Sequence, residues 1–461
     1  MGVSHLNRYI KDMKIAKTVD LEPGMSIVID GANLLRRFYN ACEHRSGGRI
    51  IGMRHNVEKF VQVFRDSYID ITVIFDGLVD GEKFNEWVTR RTSDCRDICK
   101  FMDIIDENTP VQKNEFVPPA NSISHLYRAF KDANACVIMA DAEEADIEIA
   151  RYALDHQCDA IMSADSDFLC MPLPDNLIIL NPASLHINQK KITVEGFKLE
   201  NMRQNIPISV DEMHIFAAIS GNDRISKTSF EGIRKSMQEK AGGTALFMGY
   251  QSETEFSQRQ RELLEGEKRW YNACLGVSKK KQNTYLTLIN DQHIWMSGVW
   301  FQNRDGVEPI ALARPIRERL YMIEGASDVK EVYFTPYEGK KEHHVNVPPL
   351  KKNKRNLKKH LDVLNISECR GCEEAAIKFL ELHNVIPDNH IIALKKMVRI
   401  FKTCSYRYVG RNILKKVNRE TLQSLACYYR CVMPMWSLFT LCGYPQQAIA
   451  IDGSAFHSVL I

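Results

Sequence analysis

Ala160-Ile161-Met162-Ser163-Ala164-Asp165-Ser166-Asp167-Phe168 decides the reading of the first half of this chain. Three apolar residues run straight into a pair of aspartates. The same pattern stands at Ile27-Val28-Ile29-Asp30-Gly31 and at Val73-Ile74-Phe75-Asp76-Gly77. Cys136-Val137-Ile138-Met139 and Leu177-Ile178-Ile179-Leu180 are further runs of this kind. Apolar at nearly every position rather than alternating, they predict strands of a parallel sheet covered on both faces. Between them, apolar residues spaced by three and four predict helices over 54–68, 122–132 and 144–156. The fold class is α/β.

In an open parallel sheet, side chains just past the carboxyl ends of the strands converge on one crevice. Asp30, Asp76, Asp165 and Asp167 fall there. Glu144 and Asp146 open the helix 144–156, and Asp223 follows the apolar run Ile215-Phe216-Ala217-Ala218-Ile219. Taken singly, an aspartate before a glycine is a turn former or a helix cap. Taken together, carboxylates on one edge of a low-dielectric crevice repel one another unless cations neutralise them. An oxygen-only donor set with almost no histidine suits Mg²⁺ or Mn²⁺ rather than zinc. Two such ions suit displacement at a phosphodiester. No Walker loop and no Gly-x-Gly-x-x-Gly fingerprint competes with this reading.

The 461 residues are enough for two or three domains. A hydrophobic share of 44% and a charged share of 26% exclude a disordered chain, a fibrous repeat and a disulfide-stapled miniprotein. With a net charge of +3, any basic surface must be local. The 13 cysteines, odd in number and scattered, read as reduced thiols inside the cell. The start lacks the pattern of a signal peptide, and no apolar run reaches membrane-spanning length. Residues about 78–120 interrupt the strand pattern as a charged, mainly helical insertion, a place where α/β folds carry functional elements. Residues 236–335 read as a mixed, mainly helical extension, 336–360 as a basic Pro-containing linker, and 361–461 as a helical C-terminal domain. Lys351-Lys352-Asn353-Lys354-Arg355 reads equally as a nuclear-import signal, a phosphate-contacting patch or a solvated linker. Cys369 and Cys372 have the spacing of half a zinc site, which would need Cys427 and Cys431 as partners.

The acidic motifs, in their order and spacing, resemble those of the flap endonuclease and XPG superfamily of structure-specific nucleases, a PIN-like fold, and above all its asteroid branch. The resemblance covers about residues 1–235. It runs through Met1-Gly2-Val3, Val28-Ile29-Asp30-Gly31-Ala32-Asn33, Ile74-Phe75-Asp76-Gly77, Glu144-Ala145-Asp146-Ile147, Ser163-Ala164-Asp165-Ser166-Asp167-Phe168 and Gly221-Asn222-Asp223.

The resemblance implies that Asp30, Asp76, Glu144, Asp146, Asp165, Asp167 and Asp223 are the metal-site acids. Of these, Asp30, Asp76, Glu144 and Asp146 would serve one ion, and Asp165, Asp167 and Asp223 the second. It implies that the insertion is a helical arch whose Lys83 and Arg90, seven residues apart, hold the scissile phosphate. Gly2, Arg91, Gly232, Arg234 and Lys235 are the implied nucleic-acid contacts. Two departures stand out. Residues 77–115 hold six Lys or Arg against nine Asp or Glu, and Ser229–Lys235 keeps one glycine where the superfamily has two. The expectation is a Mg²⁺-dependent (or Mn²⁺-dependent) two-ion nuclease acting on branched or single-stranded DNA or RNA, in the nucleus or the cytoplasm, with a protein partner for the C-terminal half. Its rival is a nuclease-fold scaffold that binds nucleic acid and proteins without turnover.

Overall fold

The structure, a computed structural model, describes residues 2–3, 6–39, 50–77, 84–107, 122–140, 144–188, 191–206, 208–222, 224–240, 255–276, 293–295, 309–324, 328–335, 338–346, 358–369, 371–403 and 419–441. Lys83, Asp223 and the basic stretch 351–357 lie outside the described residues. The chain divides into two compact units. The first comprises Met1–Arg37, Glu58–Glu86 and Phe130–Lys281; the second comprises Phe38–Val57, Trp87–Ala129 and Gln282–Ile461.

The first unit is built on strands β1 (Lys17–Asp20), β2 (Ser26–Asp30), β3 (Asp70–Phe75), β4 (Cys136–Met139), β5 (Ala160–Met162), β6 (Ile178–Leu180), β7 (His186–Asn188) and β8 (Lys191–Lys198). Their order is β1-β8-β6-β5-β2-β3-β4, with β7 paired to β8. The five runs read from the sequence are the contiguous parallel block β6-β5-β2-β3-β4. Around it the sheet is mixed, because β8 runs antiparallel to β1, β6 and β7. The residues of β8 explain the difference. Ile192 and Val194 are buried while Lys191 and Glu195 are exposed, the alternation of an antiparallel strand with one wet face.

From β2 the chain steps outward through β3 to β4, then returns to place β5 and β6 on the other side of β2. β2 thus stands at the switch point of the strand order, where the carboxyl ends of the strands of an open sheet place a ligand site. Val28, Ile74 and Ile161 pack with Ile147, Ile149 and Ala150 of the helix Ala145–Asp155, and with Phe168. The glycines after the two strand-end aspartates are fixed by space. A Cβ on Gly31 would lie 2.6 Å from the Phe75 ring, and one on Gly77 would lie 1.8 Å from the carbonyl oxygen of Ala140. A buried arginine joins two further elements. Arg151, on the helix Ala145–Asp155, donates to the carbonyls of Ala273 (2.9 Å) and Gly276 (2.9 Å), just past the helix Gln258–Tyr271.

The second unit holds a three-stranded sheet. Its strands are β9 (His293–Trp295), parallel to β10 (Asp328–Thr335), and β11 (Gly339–Asn346), antiparallel to β10. Gly339–Asn346 thus forms a strand within the stretch read from the sequence as a linker. Glu331 on β10 is fully buried, and Arg314, Arg317 and Tyr321 all bond to it. Burial alone would push this carboxyl up; the arginines and the phenol outweigh it and hold it below its ordinary value. The Trp87 ring meets Phe334 edge-on at 5.4 Å, and the Cys95 thiol lies 3.3 Å from the Thr335 carbonyl. Both Trp87 and Cys95 belong to the helix Phe84–Asp106, the main described part of the insertion. The unit also includes the helices Arg314–Glu324, Cys372–Leu382, Asp388–Thr403 and Arg419–Leu441. Among the described residues, no helix is long and apolar enough to cross a membrane.

Candidate metal centre

Asp30 closes β2 with its carboxylate turned back on its own loop. One oxygen accepts from the amides of Ala32 (3.1 Å) and Asn33 (3.4 Å). The other accepts from the Ser163 hydroxyl (3.1 Å) and the Asn33 side chain. Asn33 in turn accepts from the Ala164 amide at 3.2 Å, so the loops after β2 and β5 are sewn together at the crevice. Burial pushes the Asp30 carboxyl up, Asp76 and Asp165 add to the effect, and the bonds from Ser163 and Asn33 oppose it; the result is about 6.

After β5, the Asp165 amide donates to Ser163 (3.1 Å), and the Asp167 amide donates to Asp165 (3.1 Å). This tight hydrogen-bonded turn sets the two carboxylates side by side. Asp146 approaches them from the first turn of the helix Ala145–Asp155, where the helix dipole favours a negative charge. Single carboxylate oxygens of Asp146, Asp165 and Asp167 lie within 4.8 Å of one another, the one such gathering of metal-ligand types among the described residues. Like charges about 4 Å apart repel by about 4 kcal/mol at an effective dielectric of about 20. A hard divalent cation is the natural counter-charge, and three carboxylates on rigid elements fit Mg²⁺ or Mn²⁺. Cys369, Cys372, Cys427 and Cys431 form no such group.

Gly2 backs this centre. Its φ of +69° is a backbone conformation side chains avoid, and a Cβ there would come within 2.1 Å of an Asp165 carboxylate oxygen. Asn7 and Ser166 tie the start of the chain to the same turn, Asn7 to the Ala164 carbonyl and Ser166 to the Val3 carbonyl.

Glu144, the residue before the helix Ala145–Asp155, faces Arg224, whose guanidinium lies 3.5 Å from it. Arg224 also lies 3.3 Å from Glu267 and 5.3 Å from the centre of the Trp270 ring. The Asn222 side-chain amide donates to Glu267 at 2.9 Å. Tyr271 donates to Asp167 at 2.7 Å, and burial pushes its phenol far up, so it remains the donor. The sequence reading missed Arg224, Glu267 and Tyr271. Asn222 stood inside a quoted motif, but Tyr271 is 104 positions from the aspartate it serves, and only the fold brings them together.

The other expected contacts are placed as follows. Arg90 and Arg91 lie on the helix Phe84–Asp106, in the part belonging to the second unit, and Arg91 pairs with Asp94 at 3.0 Å. Gly232, Arg234 and Lys235 lie in the helix Glu231–Lys240, where Lys235 pairs with Glu231 at 2.8 Å. A Cβ on Gly232 would meet nothing within 4 Å, so space does not require that glycine.

No family model matches the chain. About half of it is similar to a constitutive coactivator of peroxisome proliferator-activated receptor gamma from Mus musculus (26% identical over 228 residues; 47% of this chain, 28% of that protein). A comparable stretch is similar to a single-strand DNA endonuclease ASTE1 from Danio rerio (28% over 244 residues; 49% of this chain, 33% of that protein). The chain thus spans a third or less of the length of these two relatives. Among solved structures, the catalytic core of Rad2 in complex with DNA substrate overlaps 59% of this chain and 85% of its own at 17% identity, with a TM-score of 0.34. Human GEN1 in complex with Holliday junction DNA overlaps 63% and 72% at 10% identity, also at 0.34; overlaps this loose assign no function. The single-strand DNA endonuclease and the coactivator are the kinds of protein to which this chain's sequence is similar.

Proposed function

We propose that the first unit is a divalent-metal-dependent nuclease that hydrolyses phosphodiester bonds in single-stranded or branched nucleic acid. One observation carries this reading: Asp146, Asp165 and Asp167, from two separate elements, gather their carboxylate oxygens within 4.8 Å at the carboxyl ends of the parallel strands. The similarity to a protein named single-strand DNA endonuclease agrees with it.

In this reading Asp146, Asp165 and Asp167 hold the cation, with Asp30, Asp76, Glu144 and Asp223 as further acids of a two-ion set, Mg²⁺ or Mn²⁺. When bound, the ions supply positive charge to the phosphate oxygens and acidify the attacking water. The chain's own contribution is rigidity. Ser163 and Asn33 hold Asp30, and the turn after β5 holds Asp165 and Asp167, so little reorganisation accompanies the rise of charge in the transition state. Lys83 and Arg90 hold the scissile phosphate, and Gly2, Arg91, Gly232, Arg234 and Lys235 contact the nucleic acid. The test is cleavage of labelled DNA and RNA, single-stranded and overhanging, by wild type and Asp165→Asn with Mg²⁺, Mn²⁺ or EDTA. Metal-dependent cleavage lost in the variant is expected. No cleavage, with both proteins binding nucleic acid equally, would overturn the reading.

A second reading is favoured by one specific observation. Arg224 stands 3.5 Å from Glu144, a side-chain cation beside an expected metal ligand. In a nuclease-fold scaffold such a pair neutralises the acid without a metal. The coactivator name carried by the Mus musculus relative fits a protein-binding role of this kind, with the C-terminal half as the partner surface.

A further inference from the structure

Behind the three gathered carboxylates runs the helix Gln258–Tyr271, fixed at its start by a capping box between Ser257 and Gln260. Glu267 and Tyr271 lie one turn apart on this helix, and both are buried. Burying a carboxylate and a phenol together is costly unless each has a defined partner. Each does, and the partners lead to the metal centre. Tyr271 donates to Asp167 at 2.7 Å. Glu267 accepts from Asn222 at 2.9 Å and faces Arg224 at 3.3 Å, the arginine that also lies 3.5 Å from Glu144. Asn222 in turn reaches the Tyr271 hydroxyl at 3.4 Å and is itself held by the amides of Arg224 (3.0 Å) and Ile225 (2.8 Å).

We propose that Tyr271 and Glu267 are positioning residues of the cation centre: Tyr271 fixes the rotation of the Asp167 carboxylate, and Glu267 draws Arg224 away from Glu144. The proposal rests on the metal-site reading above and extends it to a helix that reading does not use. A carboxylate with a donor fixed on one oxygen presents its remaining lone pairs in one orientation, which is how outer partners tune a metal ligand. An arginine shared between two carboxylates divides its pull between them. Glu267, further buried and also bonded by Asn222, is the anchor that leaves Glu144 able to exchange the arginine for a metal ion. A plain packing role would ask only that the phenol and the carboxylate be satisfied. It would not require that both lead to acids of the same centre.

The test is equilibrium binding of Mn²⁺, read from the resonance signal of the free ion, on the full chain as wild type, Tyr271→Phe, Glu267→Gln and Asp165→Asn, each also melted in EDTA. Both substitutions keep size and shape. Tyr271→Phe and Glu267→Gln are expected to weaken Mn²⁺ binding about 10- to 100-fold while the melting temperature in EDTA holds. Wild-type affinity in both variants would overturn the proposal and leave the metal centre standing. A loss of affinity that only follows a collapsed melt in both would assign the two residues to structure alone and overturn it equally. Binding unchanged in Asp165→Asn, or absent in wild type, would bring down the metal centre itself.

Discussion

Asp30 concentrates the electrostatic problem of the site in one residue. A carboxyl whose folded pKa, about 6, stands above its ordinary 3.8 favours the folded state when protonated. Its contribution is therefore whole below about pH 4 and is lost as the pH rises through 6, a swing of about 3 kcal/mol. Without metal, Asp30→Asn should gain on wild type by up to that amount between pH 4 and 7, measured as the difference between two denaturant melts; a flat difference would contradict the assignment. The same repulsion predicts that Asp165→Asn melts no lower than wild type in EDTA. Wild type alone should gain about 2.7 kcal/mol in Mn²⁺ at a hundred times its dissociation constant. The neighbouring glycines answer to sterics instead. Gly77→Ala should cost about 3 kcal/mol or more, because its methyl would meet the Ala140 carbonyl at 1.8 Å and backbone must move.

At the scale of elements, what could be read from the sequence divides by burial. The five parallel strands announced themselves because both faces are covered and nearly every residue is apolar. β1, with the sequence Lys-Thr-Val-Asp and mostly exposed, had no such signal. β11 was hidden for the same reason: of Gly339–Asn346 only Val345 is buried, and Lys340, Lys341, Glu342, His343 and His344 read as linker. Asp30, Asp76, Asp165 and Asp167 were legible as strand-end acids. Tyr271 and Glu267 were not, since a tyrosine and a glutamate one turn apart describe any amphipathic helix. In the second unit, Glu331 on β10 holds Arg314 and Arg317 together. Glu331→Ala would leave those cations uncompensated and should destabilise the unit by about 3–5 kcal/mol, measured by urea unfolding; a change under about 1 kcal/mol would show that the cluster relaxes into water.

At the scale of the whole molecule, Asp30 in the first unit and His125 in the second respond to pH in opposite directions. In the second unit His125 is buried and its pKa is held down to about 4, first by burial and then by Arg54. The fold therefore favours neutral His125. Its contribution is whole above about pH 6.5 and is lost as the pH falls toward 4, again about 3 kcal/mol. His125→Gln should reduce the loss of the second unit's stability between pH 6.5 and 4, and leave unchanged the trend that Asp30 sets in the first unit between pH 4 and 6. Three carboxylates on the first unit are proposed as a divalent-cation centre, and anomalous diffraction from crystals soaked in MnCl₂ decides whether they hold one. The expected result is a manganese peak beside Asp146, Asp165 and Asp167, absent from crystals of Asp165→Asn. A map with no peak there, or one unchanged by that substitution, would contradict it.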